Sequence, residues 1–441
     1  MATLLIPFLL LSQLSNEPDW QQLLDQAIRL RDSGAADPIP AFNRAMDAAA
    51  TSPLGLLRAS NELGVYLVSS GKFQAALQLL RPRVAQCSSL TPPEPVCAAI
   101  YHNVGLAHHS SGEPLLAVAI LRRAVALVVA LEGQNSPNYV GLAASLGGAL
   151  IAVGQLRDAE MVLRRAVPVA LHSTVAEPAK RSNIFAGLSE IHRHRNELAL
   201  ARSEAIRAVR IAESGMPSPD AAMAAAGALY RLSSIQWAEG SPAPAMQSLQ
   251  KAIQIAQAQP VAIALNSAIL QSTLALMHLK TGHLEQAKAL LADARAAATK
   301  ANDNPALSVI LQVSASVALR EKDAESAASL LHVSLNLADS AWGPVSLQAA
   351  GCVADLVAVL LKLGKLPEAE ALSRRADAIE PASGAEPAWI PVVEQRAKVL
   401  AKLKWKKEAA SANQRLKGLL AAYPTQPSHQ VDVLEMFRAI P

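Results

Sequence analysis

The sequence predicts an all-α protein, a right-handed solenoid of antiparallel helix pairs. Half of its 441 residues are hydrophobic but only 3% are aromatic. Alanine and leucine, both strong helix formers, supply most of the apolar content. A short turn pattern recurs about every 42 residues, and small residues keep fixed positions around each turn. A long chain with such a period favours a repeat array over a single globular core.

The repeat is marked by nine turn residues, spaced 40 to 44 residues apart. They are Gly71, Gly112, Gly154, Asn196, Gly240, Gly282, Lys322, Gly364 and, more weakly, Lys404. Five residues after every turn stands an alanine, from Ala76 to Ala409. Seven residues before the turn the side chain is small in every repeat except at Val357.

This pattern has a physical explanation as two antiparallel helices joined by a tight turn. Gly or Asn at the turn permits the left-handed backbone that ends a helix. A small residue on each helix lets the two backbones approach closely where they cross. Ser241-Pro242 illustrates the start of a second helix, with Ser as its cap and Pro in its first turn.

Three segments carry a family resemblance: Asn61–Leu80 (NELGVYLVSSGKFQAALQLL), Asn103–Ala124 (NVGLAHHSSGEPLLAVAILRRA) and Leu356–Ala376 (LVAVLLKLGKLPEAEALSRRA). They resemble tetratricopeptide repeats, and the 42-residue period is similar to the kinesin-light-chain type. The fixed small residues around the turn argue against HEAT or armadillo repeats. The chain departs from the family where a Tyr is usual, four residues before the turn; there stand His108, Leu150, His192, Gln236, His278 and Leu360.

We expect four parts along the chain. Residues 1–16 form an apolar segment, and residues 17–54 form a divergent helix pair that turns at Gly34. Residues 55–423 hold about nine repeats, and residues 424–441 form a tail. Terminal repeats are commonly atypical because they cap the stack. Within the tail, Val431–Ile440 is expected to dock on the last repeat as a short strand or helix.

The N-terminal segment leaves the location of the protein open between cytoplasmic and exported. Thr3–Leu14 is as apolar as the core of a signal peptide, but no Lys or Arg precedes it and Pro7 interrupts it. It is too short to span a bilayer as a helix. We expect no membrane span later in the chain, because polar residues interrupt every apolar run.

Composition excludes several classes of function. A net charge of +4 without a basic cluster, together with few aromatic residues, does not fit a nucleic-acid binder. No motif of nucleotide-binding, kinase or hydrolase enzymes occurs, so we expect neither catalysis nor a cofactor. Neither the cysteines nor the histidines show metal-ligand spacing. Cys87 and Cys97 bracket one loop and could bridge only in an oxidising compartment, whereas Cys352 is expected to be buried.

The first group of candidate partner-binding residues is basic: Lys280, Arg320, Lys362 and Lys402. Each stands two residues before a turn, so stacked repeats would set the four in a row near the concave surface. Such a row could bind an acidic peptide or a C-terminal carboxylate. The alternative is structural, because a cation at a helix C-terminus is favoured by the helix dipole.

The second group is aromatic. Tyr230 and Trp237 lie seven residues apart on one helix face, with Arg193 and His194 on the preceding repeat. Aromatic residues are enriched as binding anchors. Ordinary packing between repeats explains the same placement.

The sequence therefore predicts a non-catalytic scaffold that binds a protein or peptide on the concave face. One alternative is an exported repeat protein that assists the assembly of envelope or secreted proteins. Another is a sensor module of a signalling system, which usually requires an effector domain, and none is visible. The partner and the oligomeric state stay open at this level.

Overall fold

The structure is a computed structural model that describes residues 19–173, 175–259, 261–344, 346–383 and 390–422. Over these ranges it holds twenty α-helices and no strand. The predicted all-α class of stacked helix pairs is therefore confirmed. The apolar segment Thr3–Leu14 and the expected docking segment Val431–Ile440 both lie outside the described residues.

The chain divides into two compact units, Met1–Val104 and Gly105–Pro441, with the boundary inside one helix. The first unit holds α1 (Trp20–Ser33), α2 (Ile39–Ala48), α3 (Pro53–Ser69), α4 (Phe73–Ser89) and the start of α5 (Pro95–Ser110). The second unit continues with α6 (Pro114–Glu132), α7 (Pro137–Ala152), α8 (Leu156–His172), α9 (Pro178–His194), α10 (Leu198–Glu213), α11 (Pro219–Ala238), α12 (Pro242–Gln257), α13 (Val261–Lys280), α14 (Leu284–Lys300), α15 (Asn304–Arg320), α16 (Ala324–Trp342), α17 (Leu347–Lys362), α18 (Leu366–Ser383), α19 (Ile390–Lys402) and α20 (Lys406–Ala422).

Each odd-numbered helix is the first helix of a pair, and the even-numbered helix after it is the second. All nine predicted turn residues have φ between 60° and 87°, in the left-handed region. Three of them, Asn196, Lys322 and Lys404, reach this region without being glycine. The turns of the structure thus lie at the nine positions that the sequence predicted.

The core lies between the helices of each pair, where small residues permit close approach. All nine alanines that follow the turns by five residues are buried. A Cβ atom added to Gly147 would lie 2.7 Å from Leu163 Cδ2, and one added to Gly105 would lie 2.5 Å from Leu121 Cγ. These distances leave no room for a side chain, so glycine at these crossings is a packing requirement.

Side-chain caps begin several first helices. The Ser52 hydroxyl accepts a hydrogen bond from the Gly55 amide at 3.1 Å, and Ser136 accepts one from Asn138 at 3.0 Å. Ser241 does occupy the N-cap of α12, but its side chain makes no capping hydrogen bond. The predicted cap position of Ser241 and the start of the helix at Pro242 are therefore confirmed.

Helix α6 has a composition that the sequence analysis did not anticipate. It is the one described helix that is long and apolar enough to cross a membrane, by length and composition alone. Only a third of its apolar window is buried. Its inward face packs as in the other repeats, with Ala117, Leu121 and Ala124 fully buried.

A disulfide joins Cys87 at the end of α4 to Cys97 at the start of α5, with the two Cα atoms 5.5 Å apart. Both residues belong to the first unit. The sequence left this pairing open, because spacing alone does not show whether the two thiols meet. The bond closes the loop between two consecutive helix pairs.

Candidate functional site

A cleft of about 390 Å³ lies between the first helices α17 and α19. The two helices pack directly on each other, so the cleft belongs to the surface formed by first helices. Its lining combines an apolar floor with charged side chains: Ala354, Asp355, Ala358, Leu361, Lys362, Pro391, Glu394, Gln395, Lys398 and Lys402.

Helical periodicity explains how these residues come together. Asp355 and Lys362 are seven residues apart on α17, and Lys398 and Lys402 are four apart on α19. Residues at such spacings share one face of a helix. The two faces meet at the cleft, which therefore contains two of the four predicted basic residues, Lys362 and Lys402.

The charges of the cleft differ in how far they are already paired. Lys398 Nζ lies 2.8 Å from Glu394 Oε1, and both side chains are about half exposed. The buried carboxylate of Asp355 accepts a hydrogen bond from Gln312 Nε2 at 3.3 Å. With three lysines against two carboxylates, the cleft carries a positive excess at its exposed rim.

Two members of the predicted basic row have a structural partner. Arg320 Nη2 donates to the Leu279 carbonyl at 3.4 Å, and Lys402 Nζ donates to the Leu361 carbonyl at 3.0 Å. Both carbonyls lie in the last turn of the preceding first helix, where backbone acceptors lack helical partners. These two cations thus stabilise a neighbouring helix C-terminus, as the dipole alternative predicted.

Lys280 and Lys362, the other two members, also end first helices, α13 and α17. Both side chains are exposed. Lys362 lines the cleft, whereas Lys280 ends a helix two pairs earlier. The structure therefore brings Lys362 and Lys402 into one site.

Tyr230 and Trp237 are half-buried rather than open to a ligand. Both pack against the hydrophobic cluster of the next repeats, which includes Ala268, Leu276 and Ile310. Their position on α11 is the one that the sequence predicted. The contacts are those of packing between repeats.

Arg193 and His194 meet at a carboxylate that the sequence analysis missed. The Arg193 side chain is 3% exposed, and its Nη2 lies 2.6 Å from Glu190 Oε1. His194 Nε2 lies 3.3 Å from the same oxygen. Burial alone would raise the pKa of Glu190, but Arg193 and His194 hold that pKa well below its ordinary value. Little of Arg193 is left for a partner to touch.

Two histidines that replace the usual Tyr take part in pairs across the turn. His108 Nδ1 lies 2.6 Å from Glu113 Oε2, and His192 Nδ1 lies 2.5 Å from Glu197 Oε2. Each glutamate follows its turn residue by one position, so the repeat spacing carried a signal for both pairs. Within the described ranges no group of three His, Cys, Asp or Glu residues is placed to hold a metal ion.

Buried polar side chains also link neighbouring first helices. Asn103 Nδ2 donates to Asn61 Oδ1 at 2.9 Å in the first unit, as Gln312 does to Asp355 in the second. The partners are 42 and 43 residues apart, one repeat period. The sequence analysis missed them, although polar residues at the repeat spacing were visible.

Cys352 lies on α17 and is buried, as expected. Burial raises the pKa of its thiol to about 11. A thiol with such a pKa stays protonated at neutral pH and is a poor nucleophile.

Comparison with known proteins supports the repeat fold. Residues 226–259 match the tetratricopeptide repeat, and no curated protein matches the chain. Among solved structures, a Rap protein complexed with Competence and Sporulation Factor has 13% identity and a TM-score of 0.54, covering 92% of this chain and 99% of its own.

Two further structures have lower TM-scores. The quorum sensor NprR from B. thuringiensis, in its apo form, has 14% identity and a TM-score of 0.47, covering 81% of this chain and 98% of its own. BtubC (BKLC) from P. vanneervenii has 15% identity and a TM-score of 0.39, covering 54% of this chain and 91% of its own.

The matched segment spans the end of α11 and all of α12, which is one turn with its flanking helices. The same turn geometry recurs at nine positions along the chain. The protein is therefore built from tetratricopeptide-like repeats.

Proposed function

We propose that the protein is a non-catalytic scaffold that binds an extended peptide or a partner helix on its first-helix surface, with the cleft between α17 and α19 as one contact point. The observation that carries the proposal is the cleft itself, with its apolar floor and its lysines at the rim. A ligand with an apolar side chain and flanking carboxylates fits this lining.

The lining also supports a binding role over a catalytic one. The ten lining residues include no Ser, Thr, Cys or His. Both carboxylates are already engaged, Glu394 with Lys398 and the buried Asp355 with Gln312. The Rap protein of similar fold was solved complexed with Competence and Sporulation Factor. A fold of this kind is thus compatible with holding another molecule.

The proposal is tested with ten-residue fluorescent peptides that alternate leucine with Glu, Gln or Lys, and binding is followed by fluorescence anisotropy. We expect the Glu peptide to bind most tightly. Lys362→Glu with Lys398→Glu should weaken that binding by at least about tenfold, because two attractive charges become repulsive. Lys402 is left intact, because its bond to the Leu361 carbonyl supports the helix end.

The matched control is Lys406→Glu with Lys407→Glu on α20, the second helix of the same pair, where both lysines are exposed. This control changes the net charge equally but leaves the cleft untouched. Equal binding of the three peptides, or an equal loss in both double variants, would contradict the proposal.

A second candidate, an exported repeat protein that assists envelope or secreted-protein assembly, is favoured by the Cys87–Cys97 disulfide. Disulfides persist mainly in oxidising compartments. Maleimide labelling of the denatured, unreduced protein should modify one thiol per chain, that of Cys352, if the disulfide forms in the cell. N-terminal sequencing of the mature protein completes the test, since a start near residue 16 requires export. Three labelled thiols and an intact N-terminus would exclude this candidate.

A further inference from the structure

The second helices α6, α8 and α10 expose an unusual combination of arginine and large apolar side chains. They carry eight arginines and no lysine: two on α6, three on α8 and three on α10. All eight side chains are exposed. We call the exposed residues of these three helices the arginine surface.

Carboxylates neutralise only part of this charge. The three helices hold five acidic residues. Asp158 pairs with Arg122 at 2.9 Å, and Glu160 lies 2.6 Å from both Arg164 and Arg195. These arginines hold the pKa of Glu160 below its ordinary value. Glu204 lies 3.8 Å from Arg207, whereas Glu213 pairs with Lys251 and Glu132 accepts hydrogen bonds from Ser136 and Asn138.

Three arginines keep a full charge at the surface. Among the described residues, Arg157, Arg165 and Arg210 make no ion pair. On later second helices some cations are paired with acids of a neighbouring pair, for example Lys251 with Glu213 and Lys288 with Glu321. These three arginines on α8 and α10 are the charges that the surface offers to a partner.

Large apolar side chains lie among these arginines. Leu116, Met161 and Leu200 are 51%, 58% and 54% exposed, the largest such values on α6, α8 and α10. Met161 lies four residues after Arg157 and three before Arg164, on the same face of α8. On α6 the exposed residues other than Arg122, Arg123 and Glu132 are all alanine or leucine, and the helix as a whole is apolar enough to resemble a membrane helix in composition.

The three helices form one continuous surface. The Arg122–Asp158 pair joins α6 to α8. The Arg195–Glu160 pair joins α8 to the turn that leads into α10. Stacked repeats therefore set the apolar and basic side chains of successive second helices beside one another.

We propose that the arginine surface docks on the face of an anionic lipid bilayer. Arginine forks bind phosphate oxygens, while leucine and methionine side chains enter the interface between headgroups and acyl chains. The helices of this surface contain no Phe, Tyr or Trp. Aromatic anchors are typical of protein and membrane interfaces alike, so what favours a lipid partner is the pairing of arginine with exposed leucine and methionine side chains. This docking is peripheral, and it leaves the first-helix cleft free.

The test is flotation of the full chain with vesicles of phosphatidylcholine containing 30% phosphatidylglycerol, against vesicles of phosphatidylcholine alone. We expect binding to the anionic vesicles at least about tenfold tighter, and weaker at 0.5 M salt. Arg157→Glu, Arg165→Glu and Arg210→Glu together should lower that binding by at least about tenfold. Leu116→Ser with Met161→Ser should also lower it, because the apolar contact is lost.

The matched control is Lys406→Glu, Lys407→Glu and Lys417→Glu on α20, three exposed lysines of another second helix. It should bind the anionic vesicles within about twofold of the unchanged chain. Circular dichroism confirms that each variant is folded, and Arg157→Gln with Arg165→Gln replaces the triple variant if that one unfolds. The proposal is overturned if the two triple variants lose binding equally, if the serine substitutions have no effect, or if the chain does not float with the vesicles. The last outcome would leave an acidic protein as the partner class.

Discussion

Two first helices of the second unit carry the same kind of ion pair in opposite surroundings. On α9, Glu190 pairs with Arg193, whose side chain is 3% exposed. On α19, Glu394 pairs with Lys398, whose side chain is 52% exposed. Both pairs lie within one turn of a helix, and both N–O distances are short, 2.6 Å and 2.8 Å. The two sites differ in how far the basic side chain is exposed to solvent.

The difference indicates where this protein uses charge for stability and where it offers charge to a partner. Breaking a buried ion pair is costly, because the buried charge loses its opposite charge in a place where water cannot replace it. An exposed pair contributes little to stability and exchanges partners readily. The Glu190–Arg193 pair on α9 is thus part of the packing between helices, and the region from α17 to α19 holds an open cleft.

The largest expected effect comes from breaking the buried pair. Glu190→Gln leaves the Arg193 guanidinium buried without its carboxylate and should lower the free energy of unfolding by about 3 kcal/mol. Glu394→Gln, the same change in the exposed pair, should cost less than about 1 kcal/mol. Urea denaturation followed by circular dichroism measures both. Similar losses in the two variants would show that burial does not separate these sites.

The same pair makes stability depend on pH. The pKa of Glu190 is lower in the folded protein than its ordinary value, so its carboxylate stabilises the fold above that ordinary value, about 4.3. The contribution is lost as the pH falls through the depressed folded pKa. The stability gap between the unchanged chain and Glu190→Gln should therefore be widest at pH 7 and shrink below about pH 4. If the gap widened in acid instead, folding would raise the pKa of Glu190 rather than lower it, and the stabilising role of its carboxylate would be refuted.

Adding one methyl group should have opposite effects in the two regions. In Gly147→Ala the new Cβ would lie 2.7 Å from a carbon of the fully buried Leu163, so we expect a loss of about 2 kcal/mol. Gly351 on α17 has no atom within 4 Å of the same position, so Gly351→Ala should gain up to about 1 kcal/mol in helix propensity. Unfolding free energies of equal sign for the two variants would argue against this packing difference.

Substitutions at the turns should have similar costs in the two regions. Asn196 ends α9 with φ of 60°, and Gly364 ends α17 with φ of 74°. Asn196→Ala and Gly364→Ala should each cost about 1 kcal/mol, because a Cβ-bearing residue other than Asn strains the left-handed backbone. Thermal unfolding of both variants compares the two costs. A clearly larger loss at Asn196 would mean that the packed surroundings, as well as the backbone, constrain that turn.

Much of the fold could be predicted because the same residue pattern recurs in every repeat. The turn residues and the alanines that follow them recur nine times, so chance matches average out. The cleft could be predicted only in part. Lys362 and Lys402 stood out by their register. Lys398 has no equivalent in the other repeats, and the place of Asp355 in the cleft depends on the packing of α17 against α19.

Sequence by itself determined the helix pairs, the nine left-handed turns and the small-residue crossings. These follow from backbone sterics and from the volume available between two helices, which are local properties. Tertiary structure decided which charges are buried. Arg193 and Lys362 both lie near the C-terminus of a first helix, yet Arg193 is enclosed with Glu190 while Lys362 faces an open cleft. The solvent exposure of a charged side chain depends on neighbouring repeats, which are distant in sequence. This exposure decides whether an ion pair stabilises the fold or remains available to a partner.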